Sequence, residues 1–461
     1  MSAVVQAAEA SGGRAAPVVA SPLLQGRILP TLLKLSVPNV LAMVMAMLVG
    51  VAETYYVGQL GLVPLASMAL VFPFAMLTQM MSNGAMGGGV SSAISRALGA
   101  GDQARAGTLA LHAMVIGLGA GLLYSALLVW LGPLFFAWLG GRGEVLAVAS
   151  HYGHVLFSGA MLVWLCNTLA SVVRGTGNMR VPSAVVFVTA ALQIMVGGAL
   201  GLGLGPFPRW GMTGVAIGNL LAMGAGVLVL LAYLQWGQQR LRLPWRGVQL
   251  SWPMFRDILR VGALACLSPL QSVLTALVMT GLVARLGPQA LAGYGIGQRL
   301  EFLLIPIAFG VGVASVPMVG MAMGAGQVPR ARKVAWAAGG VAAITLAGIG
   351  AVVVLWPRLW SGIFTTDAQV LAHADLYLRI AGPGFAFFGM GLALYFAALG
   401  SGRILGPIVA GTARLVVVVG LGAWLTQQAG ATAQSLFWVV TAGMLVYGLG
   451  TAWAVWRTRW D

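Results

Sequence analysis

Charge is what this chain has least of. Only 7% of its 461 residues are Asp, Glu, Lys or Arg, and nine are acidic, against about 25% charged residues in soluble domains. With 59% hydrophobic residues and a mean hydropathy of +0.93, that shortage excludes a soluble globular protein and describes an integral membrane protein. Ten-residue segments alternating apolar and polar side chains, which a membrane barrel needs, are missing too; the apolar runs are continuous and suit helices of roughly 20 residues each. There are two cysteines, Cys166 and Cys266, both inside apolar runs, so no disulfide framework is indicated. No zinc-ligand spacing, nucleophile with base, or phosphate loop is present despite 66 glycines, which argues against an intramembrane enzyme, a bound metal or an organic cofactor. The first 28 residues lack the apolar core of a cleavable signal and read as a disordered cytoplasmic tail.

The net charge of +16 does not form a basic patch, because the Lys and Arg residues are scattered between apolar runs; no nucleic-acid partner is expected. Twelve runs read as spans: about 31–58, 64–96, 106–131, 146–173, 182–204, 211–236, 257–284, 289–322, 331–356, 371–399, 407–427 and 432–456. The tail and every second loop carry most of the cations, among them Arg27, Arg105, Arg174, Arg246, Arg330, Lys333 and Arg403, while the opposite loops hold only Arg142, Arg209, Arg285 and Arg358. By the positive-inside rule both termini are cytoplasmic, in a bacterial inner membrane. Arg105, Arg330 and Arg332 read as holders of lipid headgroups on that face.

The chain repeats itself. Leu98-Gly-Ala-Gly-Asp-Gln-Ala-Arg-Ala106 matches Met323-Gly-Ala-Gly-Gln-Val-Pro-Arg-Ala331, and Arg174-Gly-Thr-Gly-Asn178 matches Leu399-Gly-Ser-Gly-Arg403, both at an offset of 225 residues. Gly99, Gly101, Gly324 and Gly326 suit helix C-caps in these loops. Six spans per repeat give two lobes of like orientation, 29–236 and 256–461, joined by a polar linker at 237–255. Two facing lobes with a path between them describe an alternating-access carrier.

Two acidic residues fall within spans, and a carboxylate there is by default functional. Glu53 shares a helical face with Asn39, Met43, Ala46, Gly50 and Tyr56. A carboxyl group withdrawn from water exchanges a proton nearer neutral pH, and neighbouring amides and hydroxyls equally suit Na⁺. Glu301 lies about 18 Å along the eighth span, on a face with Tyr294 and Gln298, and Arg299 is placed too far around the helix to pair with it. Glu53 aligns with Met279 and Glu301 with Ala75, so the lobes differ in chemistry. His151 and His154 read as interfacial, and Met76-Leu-Thr-Gln-Met-Met81 as packing.

Taken together, "ETYYVGQLG" at 53–61, "LGAGD" at 98–102, "RGTGNMRVP" at 174–182, "GPFPRWGMTGVAIGN" at 205–219 and "YGIGQRLEFLLIPIAFGVGVA" at 294–314 resemble the multidrug and toxic-compound extrusion family. The resemblance implies twelve helices in two six-helix lobes forming a V, and export of cationic amphipathic compounds in exchange for H⁺ or Na⁺. It puts Glu53 in the place of the first-helix acid, usually Asp. It puts Gln193 and Gly197 where the fifth helix usually offers Asn and Asp. Glu53 would then act with neutral helpers, Asn39, Gln193, Asn167 and Asn219, while Glu301 would form a second cation site. A monomer in contact with lipid is expected. The alternative, a flippase or exporter of lipid-linked saccharides, calls for several cations in the cavity, and only Arg299, Arg379 and Arg414 lie within spans.

Overall fold

The computed structural model describes residues 21–237, 241, 243–244, 249–428, 432–458 and 460. The first 20 residues of the expected tail and parts of the expected linker, with Arg240, Arg242 and Arg246, lie outside the described residues.

All twelve apolar runs are helical, and the described residues contain no strand. Spans 1 to 3 are Ile28–Leu60, Leu62–Gly99 and Gln103–Trp138. Span 4 is a bent pair, Gly143–Ser158 and Ala160–Gly175, turning by 43° at Gly159. Spans 5 and 6 are Arg180–Leu202 and Met212–Trp236. Spans 7 to 12 are Trp252–Ala284, Pro288–Gly324, Val328–Leu355, Ala368–Ser401, Leu405–Gln427 and Ala433–Arg457. Spans 1 and 8 carry internal prolines (Pro38; Pro306 and Pro317), each removing one backbone bond. Two spans of the first half are widened by π-helical turns, Met80–Met86 in span 2 and Gln193–Gly197 in span 5.

The halves meet at the face that carries both described ends. There Ser92 Oγ donates to Gly400 O at 3.0 Å, and Asp257 accepts from Arg96 at 2.8 Å and from Arg105 at 2.9 Å. Asp257 is thus a clamp in the second turn of span 7. A short helical strap, Pro22–Gln25, buries Leu23 and Leu24 and is held from the other half by Arg330, which donates to Leu23 O at 3.0 Å and Gly26 O at 2.6 Å. Of the three arginines expected to hold headgroups, Arg105 and Arg330 are therefore engaged within the protein: each lies within reach of an acceptor across the halves.

The repeated glycines divide their work. Gly101 and Gly326 take left-handed φ values of 79° and 70° and cap their helices. Gly99 and Gly324 instead sit where spans 2 and 8 cross, and a side chain on either would run into the other span's backbone. Toward the opposite face the polar contacts between halves cease among the described residues, and a V opens there.

Candidate functional site

Glu53 lies in the far part of span 1, on the open side of the V. Its carboxylate accepts a hydrogen bond from Gln193 Nε2 and also bonds with Asn219 on span 6. Gln193 begins the π-helical turn of span 5; such a turn holds an extra residue and changes the direction in which side chains leave the helix, a distortion frequent at functional sites. Spans 5 and 6 cross closely because Gly218 has no side chain: a Cβ there would overlap the Gly197 backbone. The adjacent Asn219 is thereby brought to the carboxylate. Gly197 itself faces Val215 at ordinary contact distance, 3.7 Å from its Cβ position.

Beside Glu53 is a cavity of about 90 Å³ lined by Thr78, Gln79, Tyr152 and Asn219 with apolar residues of spans 2 and 4. Drug sites run from about 300 Å³ upward, so this one fits a small cation and water, not an organic substrate. No cationic side chain lines it. A single carboxylate is thus held by neutral amides, with the Tyr152 phenol in the cavity wall nearby.

Glu301 is held differently. Tyr377 OH of span 10 donates to its Oε1. The Tyr377 ring is fully buried, edge-on to Tyr294 (5.3 Å, 85°) and to Phe437 (5.0 Å, 89°). Gln298 Nε2 donates to Tyr294 OH at 3.3 Å. Arg414 of span 11 lies over Phe388 and Tyr447 at 5.5 and 5.8 Å and acts on Glu301 through its charge. No ion pair joins the two among the described residues, and the Arg414 Nε is buried without a hydrogen-bond partner. Arg299 stacks over Phe364 at 5.3 Å instead.

Of the residues singled out in the sequence, the structure brings Gln193 and Asn219 to Glu53. Tyr56 packs its ring against Gly198, one turn from Glu53 along span 1. Asn167 stands one layer back: its Nδ2 donates to Gln79 Oε1 and Ser82 Oγ, both at 2.8 Å, so it positions a residue of the cavity wall. Asn39 is not part of the site. It shares the helical face of Glu53 but lies fourteen residues away, roughly 21 Å along the helix, buried with its Nδ2 unpartnered. Tyr294 and Gln298 join the Glu301 cluster. His151 and His154 are exposed, and the described residues contain no cluster of metal-ligating side chains. Sequence reading missed Thr78, Tyr152 and Tyr377; the one available signal was a tyrosine falling inside a span rather than at its end.

Comparisons with known proteins agree with this architecture. The family model MatE matches residues 38–198 and 265–425, one stretch in each half. A probable multidrug resistance protein NorM of Thermotoga maritima is 27% identical over 380 residues, 82% of this chain and 81% of the relative. An FAD transporter of Shewanella oneidensis is 25% identical over 407 residues, 86% and 88% of the two chains. Among solved structures, an outward-facing multidrug resistance transporter of the MOP superfamily superimposes with a TM-score of 0.85 at 23% identity, covering 94% of this chain and 97% of its own. A Vibrio cholerae transporter in a bent form does so at 0.84 and 22%, covering 93% and 96%.

Proposed function

The chain belongs to the MatE family of membrane transporters, and we propose that it exports amphipathic organic cations across the bacterial inner membrane in exchange for H⁺ or Na⁺, with Glu53 as the coupling carboxylate. The observation that carries this reading is a lone carboxylate, bonded only to neutral groups, beside a cavity of about 90 Å³ in a bundle closed at one face and open at the other. The likeness to the Thermotoga NorM protein supports multidrug export. The cation bias of the loops supports a cytoplasmic terminal face, and on that reading this structure opens outward.

In this state Gln193 presents an N–H to Glu53, an arrangement suited to an ionised carboxylate. Adding a proton cancels the charge and turns one carboxyl oxygen into a donor, while the other still accepts from Gln193. The new O–H needs an acceptor, which the carbonyl oxygen of Asn219 or water in the cavity can supply, and the π-helical turn that carries Gln193 is the element able to adjust. Na⁺ would act in the same place by drawing the carbonyl oxygens of Gln193 and Asn219 toward the carboxylate. The bound cation and the substrate favour different openings of the bundle, and this difference in affinity between states drives the exchange.

Export of an anionic flavin-type compound is a second reading, favoured by the unpartnered Arg414 Nε and the Shewanella relative. A lipid-linked saccharide carrier, which calls for several converging cations, has only Arg414 beside the Glu301 cluster. Proteoliposomes with independently imposed pH and Na⁺ gradients test the proposal. Ethidium uptake against one gradient is expected, whereas riboflavin or FAD movement with no ethidium movement would replace it by the second reading.

A further inference from the structure

A larger cavity, of about 390 Å³, lies at the face carrying the termini, away from both carboxylates. It is a partly open cleft bordered by the start of span 1, the loop from span 4 to span 5, the end of span 6 and the strap. Lys34 enters its wall from span 1 and Arg180 from the first residue of span 5, and no acidic residue lines it. The loop's polar groups are already committed: Asn178 Oδ1 accepts from the backbone of Arg180 at 3.0 Å and Val181 at 3.2 Å, and its Nδ2 donates to Tyr233 OH at 2.9 Å. The two cations are not. Neither takes part in an ion pair among the described residues, whereas Arg96 and Arg105 do.

Two like charges sharing one cavity repel each other, and an anion bound between them removes that cost. Thr31 and Thr176 add hydroxyl groups to the same wall, and Pro22, Leu23, Leu35 and Met179 make the remainder apolar. The volume exceeds what a bare phosphate fills. Charged and apolar walls in one pocket, at the level where helices leave the membrane, match a phosphate ester attached to a glycerol or acyl portion.

We propose that this cavity binds a phosphate ester, with Lys34 and Arg180 on its oxygens, the source being an anionic phospholipid of the adjoining leaflet. The test uses the full chain in detergent and reads the unfolding temperature against added dioctanoyl phosphatidylglycerol, inorganic phosphate or dioctanoylglycerol. Phosphatidylglycerol is expected to stabilise the wild type, and the Lys34→Gln/Arg180→Gln double variant to weaken its apparent affinity roughly thirtyfold, the loss expected for two cation–phosphate attractions. Lys34→Arg/Arg180→Lys should restore it, and Lys333→Gln, an exposed cation on the same face outside the cavity, should leave it unchanged. Both target side chains are exposed, so the variants retain the fold. If inorganic phosphate alone produces the same variant-dependent shift, the site stands and its ligand is a soluble phosphate. Equal phosphatidylglycerol affinity in wild type and double glutamine variant, or equal stabilisation by dioctanoylglycerol, would overturn the proposal.

Discussion

Each half of the molecule places one carboxylate in a membrane span, and the two are held by opposite means. Glu53 is bonded to amides on helices that cross at Gly197 and Gly218, next to open space and a π-helical turn. Glu301 is bonded to a buried tyrosine within interlocked aromatic rings, with a guanidinium close by. The first setting can change partners; the second is packed. A duplicated fold has thus kept its scaffold and divided its chemistry, and under the proposed function coupling falls to the first half and bracing to the second.

That division is broken most directly by Glu53→Gln. It should insert and fold, since an amide fills the same volume, yet lose drug-driven exchange by at least about a hundredfold, as removal of an essential group does; substrate efflux from cells expressing it measures this. Alternating access also requires the halves to part at the terminal face. Asp257→Asn loosens that face by releasing Arg96 and Arg105 together. Because the Asp257 side chain is 25% exposed, water screens the cluster, and a shift of roughly fivefold toward the opposite opening is expected, read as labelling of cysteines introduced along the terminal half of span 8.

Glu301→Gln should reduce transport about threefold and unequally among substrates, because the Tyr377 bond survives to an amide oxygen. Tyr377→Phe sharpens the point. It leaves a carboxylate without its donor, so stability should fall by about 1–3 kcal/mol, measured by thermal unfolding, with the coupling cation unchanged. The smallest effect belongs to His151→Gln and His154→Gln, exposed residues outside both clusters, for which efflux should match wild type.

Much of this was legible in the sequence, because hydropathy, loop charge and the repeat each report on the bilayer rather than on packing. The twelve spans could be read there; Gln193 and Asn219 came only from the family resemblance, which offered Asn39 and Asn167 beside them as helpers of Glu53. Asn39 was misplaced because a helical face fixes direction but not depth. Tyr377 went unseen because its partner is 76 positions away and tyrosines in membrane proteins usually mark the interface. Arg330 was read as a loop charge facing lipid headgroups, since nothing local to it shows that the opposite half supplies the partner. Gly99 and Gly324 look like turn glycines in sequence, and only the crossing of spans 2 and 8 shows their packing role.

The most direct test of the division between halves is cation movement driven by substrate, recorded with pH- and Na⁺-sensitive dyes in proteoliposomes holding wild type, Glu53→Gln or Glu301→Gln. Substrate addition should release the coupling cation in wild type and, at reduced rate, in Glu301→Gln, and none in Glu53→Gln although it still binds substrate. Wild-type cation release by Glu53→Gln, with loss in Glu301→Gln, would contradict the account.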